Sequence, residues 1–102
     1  MQSLRQYARG ELGVLPEVVR VVLIGSLARG DWSARSDADL VVISDEAPAR
    51  PHDRGAAYAP AARLPVPVDV FVFTPDETRD WGDRFRHEVD RGVVLYDRGA
   101  PA

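Results

Sequence analysis

Apolar positions along the chain fall into four dense runs rich in branched side chains, with helical spacing before the first run and before the last. After Pro16, "EVVRVVLIG" stops at glycine and predicts a buried strand from about Val18 to Ile24. "DLVVIS" predicts a second strand, short and apolar enough to be covered on both faces. "VDVFVFT" predicts a third and "VVLYD" a last, short one. Leu4, Tyr7, Ala8 and Leu12 lie at helical spacing before Gly13, and Ser3 with Gln6 fits a capping box, so a first helix is expected from about residue 3 to 12. A second helix start is sharper: Thr74 as cap, Pro75 at the first helical position and Glu77 completing the box. Trp81, Phe85 and Val89 follow at four-residue spacing as its buried stripe, and Gly92 is its expected stop.

Two connections differ in character. "SLARGDWSARS" reads as a turn or short helix followed by loop. From Asp45 to Pro67 the prolines at 48, 51, 60, 65 and 67 interrupt an alanine- and arginine-rich stretch, so any helix there is short and broken. The predicted order is α-β-(short α)-β-crossover-β-α-β, without internal repeat. That order gives one α/β (α+β) domain over residues 1–102, a small mixed β-sheet with flanking helices.

Composition narrows the chemistry. At 45% hydrophobic and 28% charged, the chain is an ordinary globular protein with one modest core. Cysteine is absent, which excludes disulfides, thiolate metal sites and cysteine nucleophiles. Lysine is absent as well, all 13 basic residues being arginine, so no Schiff-base mechanism is open to it. A net charge of -3 argues against a general nucleic-acid binder. "MQSLRQYARGELG" carries charges where a signal peptide needs an apolar core, and no run approaches the roughly 20 apolar residues of a membrane span; a cytoplasmic location is expected.

Against this background the acids stand out. Asp39 opens the second predicted strand and Asp69 lies near the start of the third. The connection between them is long enough for a crossover, which allows a parallel pair whose N-terminal ends coincide. Asp37, two residues from Asp39 on an extended segment, faces the same way. If the first strand runs antiparallel to the second, its C-terminal end brings Gly25 and Ser26 to the same edge. Three carboxylates raise one another's pKa unless a cation compensates, and hard oxygen donors favour magnesium or manganese. Two such ions form the usual clamp for in-line phosphoryl or nucleotidyl transfer, with one carboxylate free to accept the attacking hydroxyl's proton. Gly25 lets a triphosphate approach the backbone closely, and Ser26 offers a donor to its oxygens.

Gly25-Ser26, ten intervening residues, then Asp37-Ala38-Asp39, with a later aspartate in "VDVFVF", resembles the signature of the DNA polymerase beta-like nucleotidyltransferase superfamily. The "GSLARG" and "SDADL" wording and the small size resemble its minimal nucleotidyltransferase (MNT) branch over nearly the whole chain. That resemblance implies the polymerase beta-like fold and an ATP- and Mg2+-dependent (or Mn2+-dependent) transferase. It further implies an antitoxin that attaches AMP to a tyrosine of a HEPN-domain ribonuclease toxin. Carried over by residue, Gly25 and Ser26 hold the nucleotide's phosphates, Asp37 and Asp39 bind metal, and Asp69 is the third ligand and base. Arg29 is placed to reach a phosphate. The proline-broken segment departs from the family, which has a long helix there.

Other readings remain beside this one. Transfer to a small molecule such as an aminoglycoside, with a partner subunit supplying its pocket, is one; a non-catalytic module that masks a toxin by contact is another. Gly25-Ser26 alone would be a common strand exit, Asp37 a turn cap after Ser36, and Asp39 with Asp69 members of an ion network with Arg29 and Arg35. His52 and His87 read as solvated surface residues, Trp81 and Phe85 as core, and Tyr58 and Tyr96 as packing residues. Trp32, in a polar loop close to the motif, is a candidate contact residue.

Overall fold

A computed structural model describes residues 2–31, 37–46, 54, 58, 64 and 66–99. Strands β1 (Val18–Ile24), β2 (Ala38–Ser44), β3 (Val68–Phe73) and β4 (Val93–Asp97) form one mixed sheet in the order β3-β2-β1-β4. β1 is antiparallel to both β2 and β4, whereas β2 and β3 are parallel, as the long crossover between them allows. The four strand predictions hold, β2 gaining Ala38 at its start.

Alternation along the strands divides the apolar residues between two faces. On one face Val21 and Leu23 of β1, with Ala38, Leu40 and Val42 of β2, are fully buried against Leu4, Tyr7, Ala8 and Leu12. Those four belong to α1 (Gln2–Tyr7) and the π-helical turn Ala8–Leu12 that continues it. The wider turn closes through the Gly13 amide, which donates to the Ala8 carbonyl at 2.7 Å. Ser3 lies inside this helix rather than at its cap, so the expected Ser3–Gln6 capping box is replaced by ordinary helical residues.

The opposite face carries a smaller cluster. Val22, Ile24 and Val41 pack with Val89 of α2 (Asp83–Asp90), and Phe73, Trp81 and Phe85 close over them. The three rings meet edge to face or tilted, with centroids 5.0–5.6 Å apart. Here the structure corrects the sequence reading of the helix. The Thr74–Glu77 box does form, with the Thr74 amide donating to Glu77 Oε1 at 2.9 Å and the Glu77 amide to Thr74 Oγ1 at 3.4 Å. It opens only a 3₁₀ turn, Glu77–Asp80, after which Trp81 and Gly82 are extended and α2 begins afresh at Asp83. The break frees Trp81 to lie against both Phe73 and Phe85 while keeping the apolar stripe.

Within the crossover, Tyr58 and Arg54 are tied to other elements. Tyr58 is buried, its carbonyl accepting from the Tyr7 hydroxyl and its own hydroxyl lying 3.1 Å from Ser44 Oγ. Burial pushes the Tyr7 phenol well above its ordinary pKa, so it stays a donor at any physiological pH. Arg54 pairs with Glu77 at 2.6 Å, and the bonds from Thr74 and Arg54 hold the Glu77 carboxyl below the usual carboxylate range. The remainder of the proline-interrupted stretch lies mostly outside the described residues, as do Trp32, Arg35, Ser36 and His52. No helix among the described residues is long and apolar enough to cross a membrane.

Gly92 ends α2 by close approach to β1. A side-chain carbon there would lie 2.5 Å from Val22 Cγ1 and 2.6 Å from the Leu23 carbonyl oxygen, and backbone cannot yield as a side-chain tip does. Gly92→Ala is expected to cost about 1–3 kcal/mol by overpacking. Chemical denaturation should show a lower midpoint with an unchanged slope.

Candidate active site

The register of the sheet brings the acids together. Asp39 on β2 pairs directly with Asp69 on β3, and Ile24 at the end of β1 pairs with Asp39 from the other side. Asp37 immediately precedes β2 and is exposed, Asp69 is exposed, and Asp39 is half-buried between its neighbours. Burial raises the Asp39 carboxyl above its usual range, and the negative charges of Asp69 and then Asp37 raise it further. Thus residues from two separated segments repel one another electrostatically at one sheet edge.

Gly25 completes that edge for two reasons. Its φ is +81°, a conformation that side chains rarely adopt, and a side-chain carbon there would stand 3.1 Å from Asp39 Oδ2. The chain then folds into a tight turn in which the Arg29 amide donates to the Ser26 carbonyl at 3.1 Å and the Gly30 amide to the Leu27 carbonyl at 3.1 Å. Leu27, fully buried, pins this turn to the core. Arg29 projects from it toward α2, where its guanidinium lies 3.4 Å from Glu88 Oε1. A cleft of about 510 Å³ separates the turn, through Gly25, Ala28 and Arg29, from α2.

The sequence predicts Gly25, Ser26, Asp37, Asp39 and Asp69 at one edge; the structure pairs Asp39 with Asp69, sets Gly25 against Asp39 and leaves Asp37 one residue before β2. An ion network of the aspartates with Arg29 is among the expectations, whereas Arg29 is paired with Glu88. No motif in the sequence connects α2 with the site. His87 is exposed, as expected, yet it lines the cleft. Its position one turn from Arg84 and Arg91 was visible as helical spacing, but nothing local shows that this face of α2 turns toward Gly25.

The donor set suits a divalent cation: carboxylate oxygens in mutual repulsion, with a raised pKa on the innermost. Among the described residues no three acidic or imidazole groups form a ready-made metal cage.

A mixed sheet that gathers a Gly-Ser turn and an aspartate from each of two parallel neighbours at one edge defines the nucleotidyltransferase class of fold. The family model for the nucleotidyltransferase domain matches residues 5–97, and the chain belongs to that family. Among solved structures it is similar to a Sulfolobus solfataricus protein classed as a nucleotidyltransferase, with a TM-score of 0.67 and 21% identity over 95% of this chain and 79% of that one. It is similar also to a toxin-antitoxin structure with AMP-PNP, at a TM-score of 0.62 and 19% identity over 96% of this chain and 73% of that one. A mutant of the toxin-antitoxin pair MntA-HpeT gives a TM-score of 0.59 at 16% identity, again over 96% and 73% of the two chains. At such identities the likeness is one of fold. No curated protein matches the chain.

Because the Asp39 carboxyl is raised on folding, the native state binds more protons than the unfolded chain between the two pKa values, and stability contributed at this site falls as pH rises through that window. Asp39→Asn, which removes the charge, should match the wild type near pH 3 and equal or exceed its thermal stability at neutral pH without divalent cations. Thermal melts across pH check this, a less stable variant at neutral pH being the contrary result. Gly25→Ala should cost about 1–2 kcal/mol from its left-handed backbone alone, and should shift the Asp39 titration followed by NMR.

Proposed function

We propose that the chain is a minimal nucleotidyltransferase that acts as an antitoxin, transferring AMP from ATP to a tyrosine hydroxyl of a partner HEPN-domain toxin. The observation that carries this reading is the direct Asp39–Asp69 pairing beside the left-handed Gly25. Membership of the nucleotidyltransferase family supports the reaction class, and the likeness to toxin-antitoxin structures, one of them with AMP-PNP, supports the partner and nucleotide.

The residues divide the work by position. Asp37 and Asp39, on one face of an extended segment, would hold magnesium or manganese; Asp69 would ligate the same centre and act as base. A divalent cation, when bound, neutralises the carboxylates and polarises the phosphate oxygens. Gly25 leaves the backbone open to a phosphate, Ser26 donates to it, and Arg29 offers a planar cation from the turn. The acceptor oxygen attacks the α-phosphorus, its proton passes to Asp69, and the bond to the β-phosphate oxygen breaks to release pyrophosphate.

The acceptor must be brought by the partner. Asp37 and Asp69 are exposed, so the edge is open to water, and alignment of the hydroxyl supplies several kcal/mol of barrier reduction that an open edge cannot provide. The isolated chain should therefore transfer nucleotide negligibly.

Two measurements test the reading. ATP titrated by calorimetry should bind with magnesium or manganese and lose that affinity in excess chelator. Mixed with its cognate toxin, the chain should add one or more AMP masses to a toxin tyrosine by intact-mass spectrometry, and Asp39→Asn should reduce that transfer on the order of 100-fold or more, as loss of a preorganised electrostatic group does. A toxin silenced equally by wild type and by Asp37→Asn/Asp39→Asn, with no mass change, would make this a binding module; AMP found on an aminoglycoside instead would assign a small-molecule acceptor.

A further inference from the structure

The cleft beside Gly25 has a second wall, formed by α2, that no motif marks. Arg84, His87 and Arg91 line it, one helical turn apart along the same side, and face the Arg29 turn across the cleft. We propose that this wall seats the β- and γ-phosphates of the nucleoside triphosphate, with Arg84 and Arg91 distinguishing a triphosphate from a monophosphate; the assignment rests on reading Asp39 and Asp69 as the transfer site.

Charge is the first argument. The chain as a whole is at -3, and the candidate site adds its aspartates to the field that a polyanion meets. The cleft reverses that sign locally: Arg29, Arg84 and Arg91, with His87 beside them, outnumber Asp83 and Glu88. Confined in a concave surface, such an excess attracts phosphate more strongly than the same charges on a convex one.

Geometry is the second. Gly25 belongs both to the acid edge, where it lies against Asp39, and to the cleft lining, so the cleft begins where the aspartates end. An α-phosphorus held at the aspartates thus has its leaving pyrophosphate directed along α2. From Arg84 to Arg91 the helix rises about 10 Å, enough to flank an extended polyphosphate.

The Arg29–Glu88 pair supplies the third. At 3.4 Å, with both side chains substantially exposed, it is a weak and exchangeable ion pair. A phosphate entering the cleft competes with Glu88 for Arg29, so Glu88 opposes binding while the arginines favour it.

These opposite signs make the test. Calorimetric titration of the full chain with ATP and with AMP, at fixed magnesium, should show Arg84→Ala/Arg91→Ala weakening ATP at least tenfold while AMP changes less than twofold. Glu88→Gln should tighten ATP severalfold, a gain that a merely structural role would not produce. Unchanged ATP affinity in the double variant, equal losses for ATP and AMP, or no tightening by Glu88→Gln overturns the assignment and leaves the aspartate site standing. Should the double variant unfold in a thermal melt, Glu88→Gln alone decides. A wild-type chain that binds neither nucleotide overturns both the assignment and the reading of the site beneath it.

Discussion

The parallel pairing of β2 with β3 is the constraint on which the rest depends. It sets Asp39 opposite Asp69, an arrangement that a sheet does not favour, since like charges directly across a ladder destabilise it. The ladder persists because the pairs that follow, Leu40 with Val70 through Ile43 with Phe73, are apolar. Burial along the strands holds in register a pair of charges that would otherwise separate. Burial first, and then repulsion from Asp69 and Asp37, raises the Asp39 carboxyl above its usual range.

The two faces of the sheet serve different ends. One is closed by α1, its π-helical continuation and Tyr58 and holds the larger cluster of buried apolar residues. The other has a smaller cluster, concentrated under Trp81, Phe85 and Val89, and leaves room beside Gly25. Asp39 and Asp69 share that less filled face by strand alternation with Val41 and Phe73. A rigid core therefore backs an open site, the arrangement that holds charged groups in place without enclosing them.

On the proposed reading, the chain meets an anionic nucleotide with a net charge of the same sign. Cations at the aspartates and arginines on the cleft walls are two separate answers to that repulsion, one near the reacting phosphorus and one along the leaving group. The Arg29–Glu88 pair joins the walls in the meantime. Arginine suits this role beyond its charge, because its planar fork matches two phosphate oxygens at once.

What the sequence determined was local or periodic. Runs rich in branched residues specified the four strands, and the fixed spacing from Gly25-Ser26 to Asp37 and Asp39, with Asp69 second in β3, specified the acid edge once pairing directions were granted. The Thr74–Glu77 box was also legible, because its bonds span three residues. Tertiary structure decided the rest. Whether that box opened a long helix depended on Trp81, which left helical geometry to meet Phe73, a residue on another element. Gly92 reads as a helix stop in sequence, while its need to be glycine comes from Val22 and Leu23 of β1. His87 reads as a solvated residue in sequence, and with Arg84 and Arg91 it forms a cleft wall because Val89 buries itself against β1, turning the opposite side of α2 toward Gly25. Spacing along a chain reports which residues share an element's face; only packing reports what that face looks upon.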